Sequence, residues 1–235
     1  MPAPIPAPPE YREQLLREVV SFEPSSLLEV GCGSGTFLRS VNSLGIALCG
    51  IDPDAESVRK LESEGFSVQM GVAEALPYPD AAYDLVVFSY TAHHIGNWPG
   101  ALAEALRVAR LGVVVLDPWF DASIPSQSVA LAFDRWCKAI DRSNGLVHTD
   151  CLDAGTLLGT LVHTSGGHLI RYEYLLTLYE LGVPYLQQAA SEQLAKALRP
   201  EPWQVELEDI LRSAHAHGCS DNGAILLVVS KRNGS

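Results

Sequence analysis

The sequence predicts an α/β protein built on a doubly wound, mostly parallel sheet, and two observations carry that expectation. Short apolar runs rich in Val, Leu and Ile recur between amphipathic stretches of helical period. They lack a polar alternation, as strands covered on both faces by crossover helices require. The first complete run, residues 27–30, also passes through Gly31-Cys32-Gly33-Ser34-Gly35 straight into an amphipathic stretch. Strand, tight turn and helix in that order bring backbone N–H groups and the positive end of a helix to one ligand-binding spot.

The elements follow in order. Tyr11, Leu15, Leu16, Val19 and Val20 recur at helical spacing, predicting a helix over residues 10–22. After the glycine turn a helix over 37–44 stops at Gly45, and 46–51 reads as a buried strand closed by Asp52-Pro53. Asp54 is the expected N-cap of a helix over 55–64, and 66–70 is a short strand. A proline-bounded loop fills 71–80, and 83–90 is a strand. A helix over 99–109 leads to a strand over 111–118.

Beyond Pro118 the regular spacing breaks. A helix over 126–142 carries Phe133, Arg135 and Trp136. A sheet-covering helix is expected over 153–162, stopped by Gly166-Gly167, and a long strand over 168–178. Helices over 184–198 and 203–217 precede the last strand, 224–230. The chain reads as one domain over 1–235, with a tail and helix at 1–22 and a ligand-binding core at 23–118. Helical insertions at 119–149 and 184–217 exceed the usual connection length in α/β units and would form a lid that carries substrate specificity.

Composition narrows the function. Of 235 residues, 47% are apolar and 19% charged, a globular balance. A formal net charge of −12 argues against a nucleic-acid partner, which needs a basic patch to displace counterions. The five cysteines are odd in number with no Cys-x-x-Cys pair, as in a reduced, cytoplasmic protein without a zinc site. The proline-rich residues 1–9 lack the basic start and apolar stretch of a signal peptide, and no apolar run is long enough for a membrane span.

The glycine loop selects its ligand by what it lacks. A dinucleotide fingerprint, Gly-x-Gly-x-x-Gly, needs glycine at position 36, where Thr36 stands; a phosphate-gripping P-loop needs a lysine after the glycines. Glu29, read as an anion at the loop mouth, disfavours a pyrophosphate and favours a cation. Asp52 follows Glu29 at the spacing where a carboxylate meets ribose hydroxyls in a βαβ unit.

Glu29-Val30-Gly31-Cys32-Gly33-Ser34-Gly35 resembles the first motif of S-adenosylmethionine-dependent methyltransferases of the Rossmann-like class. Residues 27–118 as a whole resemble the branch that includes the ubiquinone/menaquinone C-methyltransferases (methyltransferase type 11). The resemblance implies a Rossmann-like sheet with an antiparallel last strand. It implies S-adenosylmethionine as methyl donor, S-adenosylhomocysteine as product, and a small-molecule acceptor methylated on oxygen, nitrogen or carbon. It assigns the cofactor to Glu29, Gly31, Cys32, Gly33, Gly35, Asp52, Pro53, Val72, Ala73, Glu74, Ser89 and Tyr90. Val72 stands where the family commonly has an aspartate for the adenine amino group; Glu74, the Ala73 backbone or water is the expected substitute.

The strand over 83–90 matches the family's fourth-strand motif, and its carboxyl end places Tyr90-Thr91-Ala92-His93-His94 over the transferable methyl. His93 and His94 are the candidate bases, since histidine alone has an unperturbed pKa near neutrality, with Tyr90 as an orienting group. Trp119, Arg135 and Trp136 are the candidate substrate contacts, and no metal is required. The alternative is a non-catalytic S-adenosylmethionine-binding regulatory or scaffold protein of the same fold. The chain is expected as a monomer or homodimer.

Overall fold

The computed structural model describes residues 9–157 and 169–231. It contains a seven-stranded sheet of order β3-β2-β1-β4-β5-β7-β6, parallel from β3 through β5 and antiparallel in its last strands. The strands are β1 (Ser26–Val30), β2 (Ala47–Asp52), β3 (Val68–Met70), β4 (Tyr83–Ser89), β5 (Ala109–Trp119), β6 (Leu169–Leu175) and β7 (Gly223–Ser230). The helices are α1 (Pro9–Ser21), α2 (Thr36–Val41), α3 (Ala55–Ser63), α4 (Trp98–Val108), α5 (Pro125–Ser143), α6 (Val183–Leu194) and α7 (Glu201–His217). The mostly parallel, doubly wound expectation therefore holds.

The chain divides into two compact units. One, the sheet unit, holds residues 9–117, the described part of 152–173, and 225–231; the other, the helical unit, holds 118–151 and 174–224. In the sheet unit, Leu85 to Phe88 on β4 and Val113 to Leu116 on β5 are wholly buried. Such runs are what two covered faces demand of a central strand. Beside them Cys32, Leu38, Val58, Leu61 and Val68 form a smaller core that joins α2 and α3 to β3, with Leu48 of β2 packed against it.

The helical unit has its own core. Val129, Phe133, Trp136 and Ile140 of α5 meet Leu186 and Ala190 of α6, and Leu207, Ile210 and Ala214 of α7. The spacing along α5 is the i, i+4, i+7 stripe of an amphipathic helix.

Several boundaries moved for identifiable reasons. The helix expected to 44 ends at Val41, and its last turn tightens into a 3₁₀ segment, Asn42–Leu44, closed by Gly45 at φ 72°. The helix expected to 109 stops at Val108, because Ala109 is extended at ψ 140° and opens β5. The strand expected to 178 ends at Leu175; Leu178 has φ 49°, which breaks an extended backbone. As expected, Asp54 caps α3, accepting from the backbone N–H groups of Glu56 and Ser57. The helix expected over 153–162 is seen only at 154–157; its remainder, Gly166-Gly167 and the tail at 1–8 lie outside the described residues.

Candidate functional site

All three loop glycines adopt left-handed backbone conformations, with φ of 71° at Gly31, 44° at Gly33 and 77° at Gly35. They are needed for different reasons. A Cβ on Gly31 would lie 2.1 Å from Thr91 Cγ2, and one on Gly35 would lie 2.2 Å from Leu61 Cδ2. Those two glycines make room for the protein itself. A Cβ on Gly33 would meet nothing nearer than Asp52 Oδ2 at 4.0 Å. Gly33 is thus the point where bare backbone is open to a ligand, a cradle that suits a nucleoside lying along the loop.

Asp52, at the carboxyl end of β2, holds this loop. Its Oδ2 accepts from the Gly33 N–H at 2.7 Å and its Oδ1 from the Asp54 N–H at 2.9 Å. Each carboxylate oxygen has two acceptor positions, so both can still receive a hydroxyl. The spacing argument did not anticipate this role as the clip of the glycine turn.

Glu29 corrects the expectation of an anion at the loop mouth. It is 2% exposed within β1, and burial raises its carboxyl well above the usual range. The N–H of Leu38 in the first turn of α2 opposes that shift, and the charge of Asp52 adds to it. One oxygen, Oε2, has no hydrogen-bond partner among the described residues. Glu29 therefore acts on the open N-terminus of α2, whose first N–H groups lack helical acceptors. Cys32 is also buried, and burial, then Glu29 and Asp52, push its thiol up to about 12, which leaves only its backbone for a ligand.

The other predicted contacts are spread around this loop. Ala73 is buried, Pro53 is exposed, and Val72 is 47% exposed, an apolar surface in place of a carboxylate. Glu74 turns toward the start of α4, accepting from the Asn97 N–H at 3.4 Å. Ser89 and Tyr90 are half-buried at the end of β4. Tyr90 sits at φ 56°, a strained conformation for an aromatic residue, while its N–H donates to the Leu116 carbonyl at 2.7 Å. Thr91 binds this turn to the glycine loop; its hydroxyl reaches the Gly31 carbonyl at 3.0 Å and that of Ser89 at 3.2 Å.

The histidine pair follows in a single 3₁₀ turn, Ala92–His94. His93 is buried and His94 exposed, with ring centroids 4.2 Å apart. His93 Nδ1 lies 2.9 Å from Oδ1 of Asp117, a wholly buried residue of β5 whose same oxygen accepts from the Ala92 N–H at 3.1 Å. Asp117 was not among the predicted site residues, and Thr91 was placed there only as part of the segment 90–94, with no role of its own. A signal for Asp117 existed: Asp117-Pro118 ends a buried strand as Asp52-Pro53 does. Nothing in the local pattern marks Thr91.

Within the helical unit, Trp136 is fully buried and its indole N–H donates to the Trp203 carbonyl at 3.0 Å. It stacks with Phe133 at 5.6 Å, so the expectation of a substrate contact gives way to a packing role. Arg135 is exposed and pairs with Asp150 at 3.6 Å, and Trp119 is half-buried and stacks on Tyr174 at 4.2 Å.

Residues 28–116 match a protein family described as a methyltransferase domain. The chain is 34% identical over 106 residues to a malonyl-[acyl-carrier protein] O-methyltransferase of Serratia marcescens, covering 44% of this chain and 42% of that one. It thus spans less than half the length of that relative. Among solved structures, YcgJ of Bacillus subtilis superposes with a TM-score of 0.63 at 18% identity, covering 96% of this chain and 99% of YcgJ. The [4+2]-cyclase SpnF superposes at 0.60 with 23% identity, covering 96% and 81%. These two likenesses establish the fold alone.

Proposed function

We propose that this chain, which carries a methyltransferase domain over residues 28–116, transfers a methyl group from S-adenosylmethionine to a small-molecule acceptor. The observation that carries the reading is the open backbone at Gly33 held by the Asp52 carboxylate, together with the family match over the same residues. Bound there, the sulfonium supplies an electrophilic methyl that an acceptor displaces in line. Asp52 receives the ribose hydroxyls, the backbone from Gly31 to Gly35 lies along the nucleoside, and Val72 with the Ala73 backbone borders the base. Tyr90 orients the acceptor, and His93 or His94 removes a proton where the nucleophile carries one.

The helical unit is the proposed source of acceptor specificity, as a lid. Two segments support this: 119–149 and 184–217 both follow β5, and long connections in compact domains commonly serve function. Trp119 and Arg135 are its candidate contacts. The net charge of −12 supports a metabolite rather than a nucleic acid. Among the described residues no helix is long and apolar enough to cross a membrane. The cysteine usage supports a cytoplasmic location, and the chain is proposed as a monomer or homodimer. The acceptor atom is left open as oxygen, nitrogen or carbon.

The alternative is a non-catalytic S-adenosylmethionine-binding regulatory or scaffold protein of the same fold, since a fold does not fix function. Calorimetric titration with S-adenosylhomocysteine and with NAD tests the site; binding of NAD alone would overturn it. Conversion of S-adenosylmethionine to S-adenosylhomocysteine in a metabolite extract tests the reaction, and tight binding without turnover favours the alternative. Limited proteolysis tests the lid, which requires that S-adenosylhomocysteine protect the segments 119–149 and 184–217.

A further inference from the structure

Lysine is almost never fully buried unless it is paired, yet Lys138 of α5 is 1% exposed in the helical unit. Its Nζ lies 2.9 Å from Asp134 Oδ2 and 3.0 Å from the Cys151 sulfur. The Cys151 thiol in turn reaches Asp134 Oδ2 at 3.7 Å, so ammonium, carboxylate and thiol close a triangle. A buried ammonium needs a counter-charge, and Asp134 supplies it. That pairing does not account for a sulfur at contact distance from the same nitrogen.

The sulfur is brought there by a segment clipped back onto α5. Past Ser143 the chain turns through Gly145, at φ 82°, and pairs with the helix it has just left: His148 with Asp141 at 2.7 Å, and Asp150 with Arg135 at 3.6 Å and Arg142 at 3.4 Å. Nitrogen and sulfur are thus held together before any reaction, as proximity requires. The other cysteines are poorer candidates. Cys32, Cys49 and Cys219 are buried, and burial pushes the Cys137 thiol up to about 12. Cys151 is half-buried, which admits a small oxidant, and a neighbouring ammonium favours the thiolate, the form that reacts.

We infer that Cys151 and Lys138 are a site of oxidative modification, at which hydrogen peroxide joins Sγ to Nζ as a sulfenamide and ties residue 151 covalently to α5. The thiolate attacks one peroxide oxygen, forming the S–O bond as the O–O bond breaks, and the departing hydroxide takes a proton from the Lys138 ammonium and leaves as water. The neutral Nζ then attacks sulfur, forming the S–N bond as the S–O bond breaks, and the second hydroxide leaves as water with a proton from nitrogen. Sulfur loses two electrons and one peroxide becomes two waters. The inference is independent of the methyl-transfer reading. To test it, the full chain is treated with stoichiometric hydrogen peroxide, denatured, alkylated with iodoacetamide, cut with trypsin without reductant and read by mass spectrometry. The expected product joins the peptide carrying Lys138 to the one carrying Cys151, two hydrogens lighter than the reduced pair, with no cut after Lys138 and with Cys137 alkylated; dithiothreitol should release it. A disulfide of Cys151 with Cys137 has the same loss of mass but leaves Cys137 unalkylated and the bond after Lys138 cut, and it would overturn the inference. So would recovery of Cys151 only as the alkylated thiol or as a sulfenic or sulfinic acid. The wild-type protein suffices for every outcome, so the test does not depend on a variant that folds.

Discussion

The sheet unit and the helical unit are joined internally by different kinds of bond. In the sheet unit, neighbouring elements are aligned by the backbone ladders of β1 with β2 and β4, β2 with β3, and β4 with β5. In the helical unit, side chains clip one element to the backbone of another. Trp136 donates to the Trp203 carbonyl, Gln193 to the Cys137 carbonyl at 2.9 Å, Asn144 to that of Lys196 at 3.0 Å, and Gln127 to that of Asp221. Ladders are indifferent to side-chain identity, so an apolar pattern suffices to specify them. Clips depend on single residues far apart in sequence.

The charged groups differ too. Burial alone would raise the Asp84 carboxyl of β4, but the hydroxyl and N–H of Ser25 and the guanidinium of Arg110 outweigh it and hold the carboxyl below the usual range. In α5, burial alone would lower the Lys138 ammonium, but Asp134 at 2.9 Å and the Cys151 sulfur at 3.0 Å hold it above the usual range. A depressed carboxyl stabilises above its unfolded pKa and loses that contribution as pH falls through the folded value. A raised ammonium stabilises below its unfolded pKa and loses it as pH rises through the folded value. The sheet unit is thus the acid-sensitive one in this respect, and the helical unit the alkali-sensitive one.

Trp136→Ala should have the largest effect, about 3–5 kcal/mol, because it empties the centre of the helical core. Hydrogen exchange should then quicken in α5, α6 and α7 while β1, β4 and β5 keep their protection. Equal loss in both units would break the comparison by showing that the two cores unfold as one.

Gly31→Ala should cost about 2–4 kcal/mol, from a left-handed φ of 71° and the collision with Thr91. Gly145→Ala in the helical unit, at φ 82° with nothing within 4 Å of the added Cβ, should cost only about 1–2 kcal/mol. Urea unfolding of the two variants checks this difference. Similar losses would mean that conformational strain outweighs the collision.

Asp52→Ala should weaken S-adenosylhomocysteine binding by about 1.5–3 kcal/mol through lost charge-assisted hydrogen bonds, and should loosen the Gly33 turn that the carboxylate clips. Calorimetry on wild type and variant measures it; equal affinity would remove Asp52 from the ligand site and leave it as a clip.

The smallest effect is expected at Asp84→Asn, about 1–2 kcal/mol at neutral pH. The gap from wild type should close as pH drops below about 3.9, the unfolded value, and through the lower folded one. Thermal unfolding from pH 7 to pH 2.5 checks the sign. A gap that widened in acid would mean that the carboxyl is not stabilised in its charged form.

Much of the candidate site was legible because its signals are local. Gly31, Gly33 and Gly35 lie within five residues, and the Asp52-Pro53 and His93-His94 pairs each follow a readable strand. Glu29 was misread because its charge state depends on burial under α2, which no local pattern reports. The contacts of Asp117 with His93 and of Thr91 with Gly31 were not legible because the partners lie 24 and 60 residues apart.

By itself the sequence determined the alternation of strands and helices, the sharp glycine turn, and the acidic strand end at Asp52, since periodicity and glycine's missing Cβ act over a few residues. Only the tertiary structure decided that Gly31 and Gly35 make room for Thr91 and Leu61, leaving Gly33 as the open backbone. It also decided that Trp136 is packing and that Asp117 stands behind His93. Those outcomes depend on which distant side chains the folded sheet and the helical core bring within contact, and on how much water each one loses.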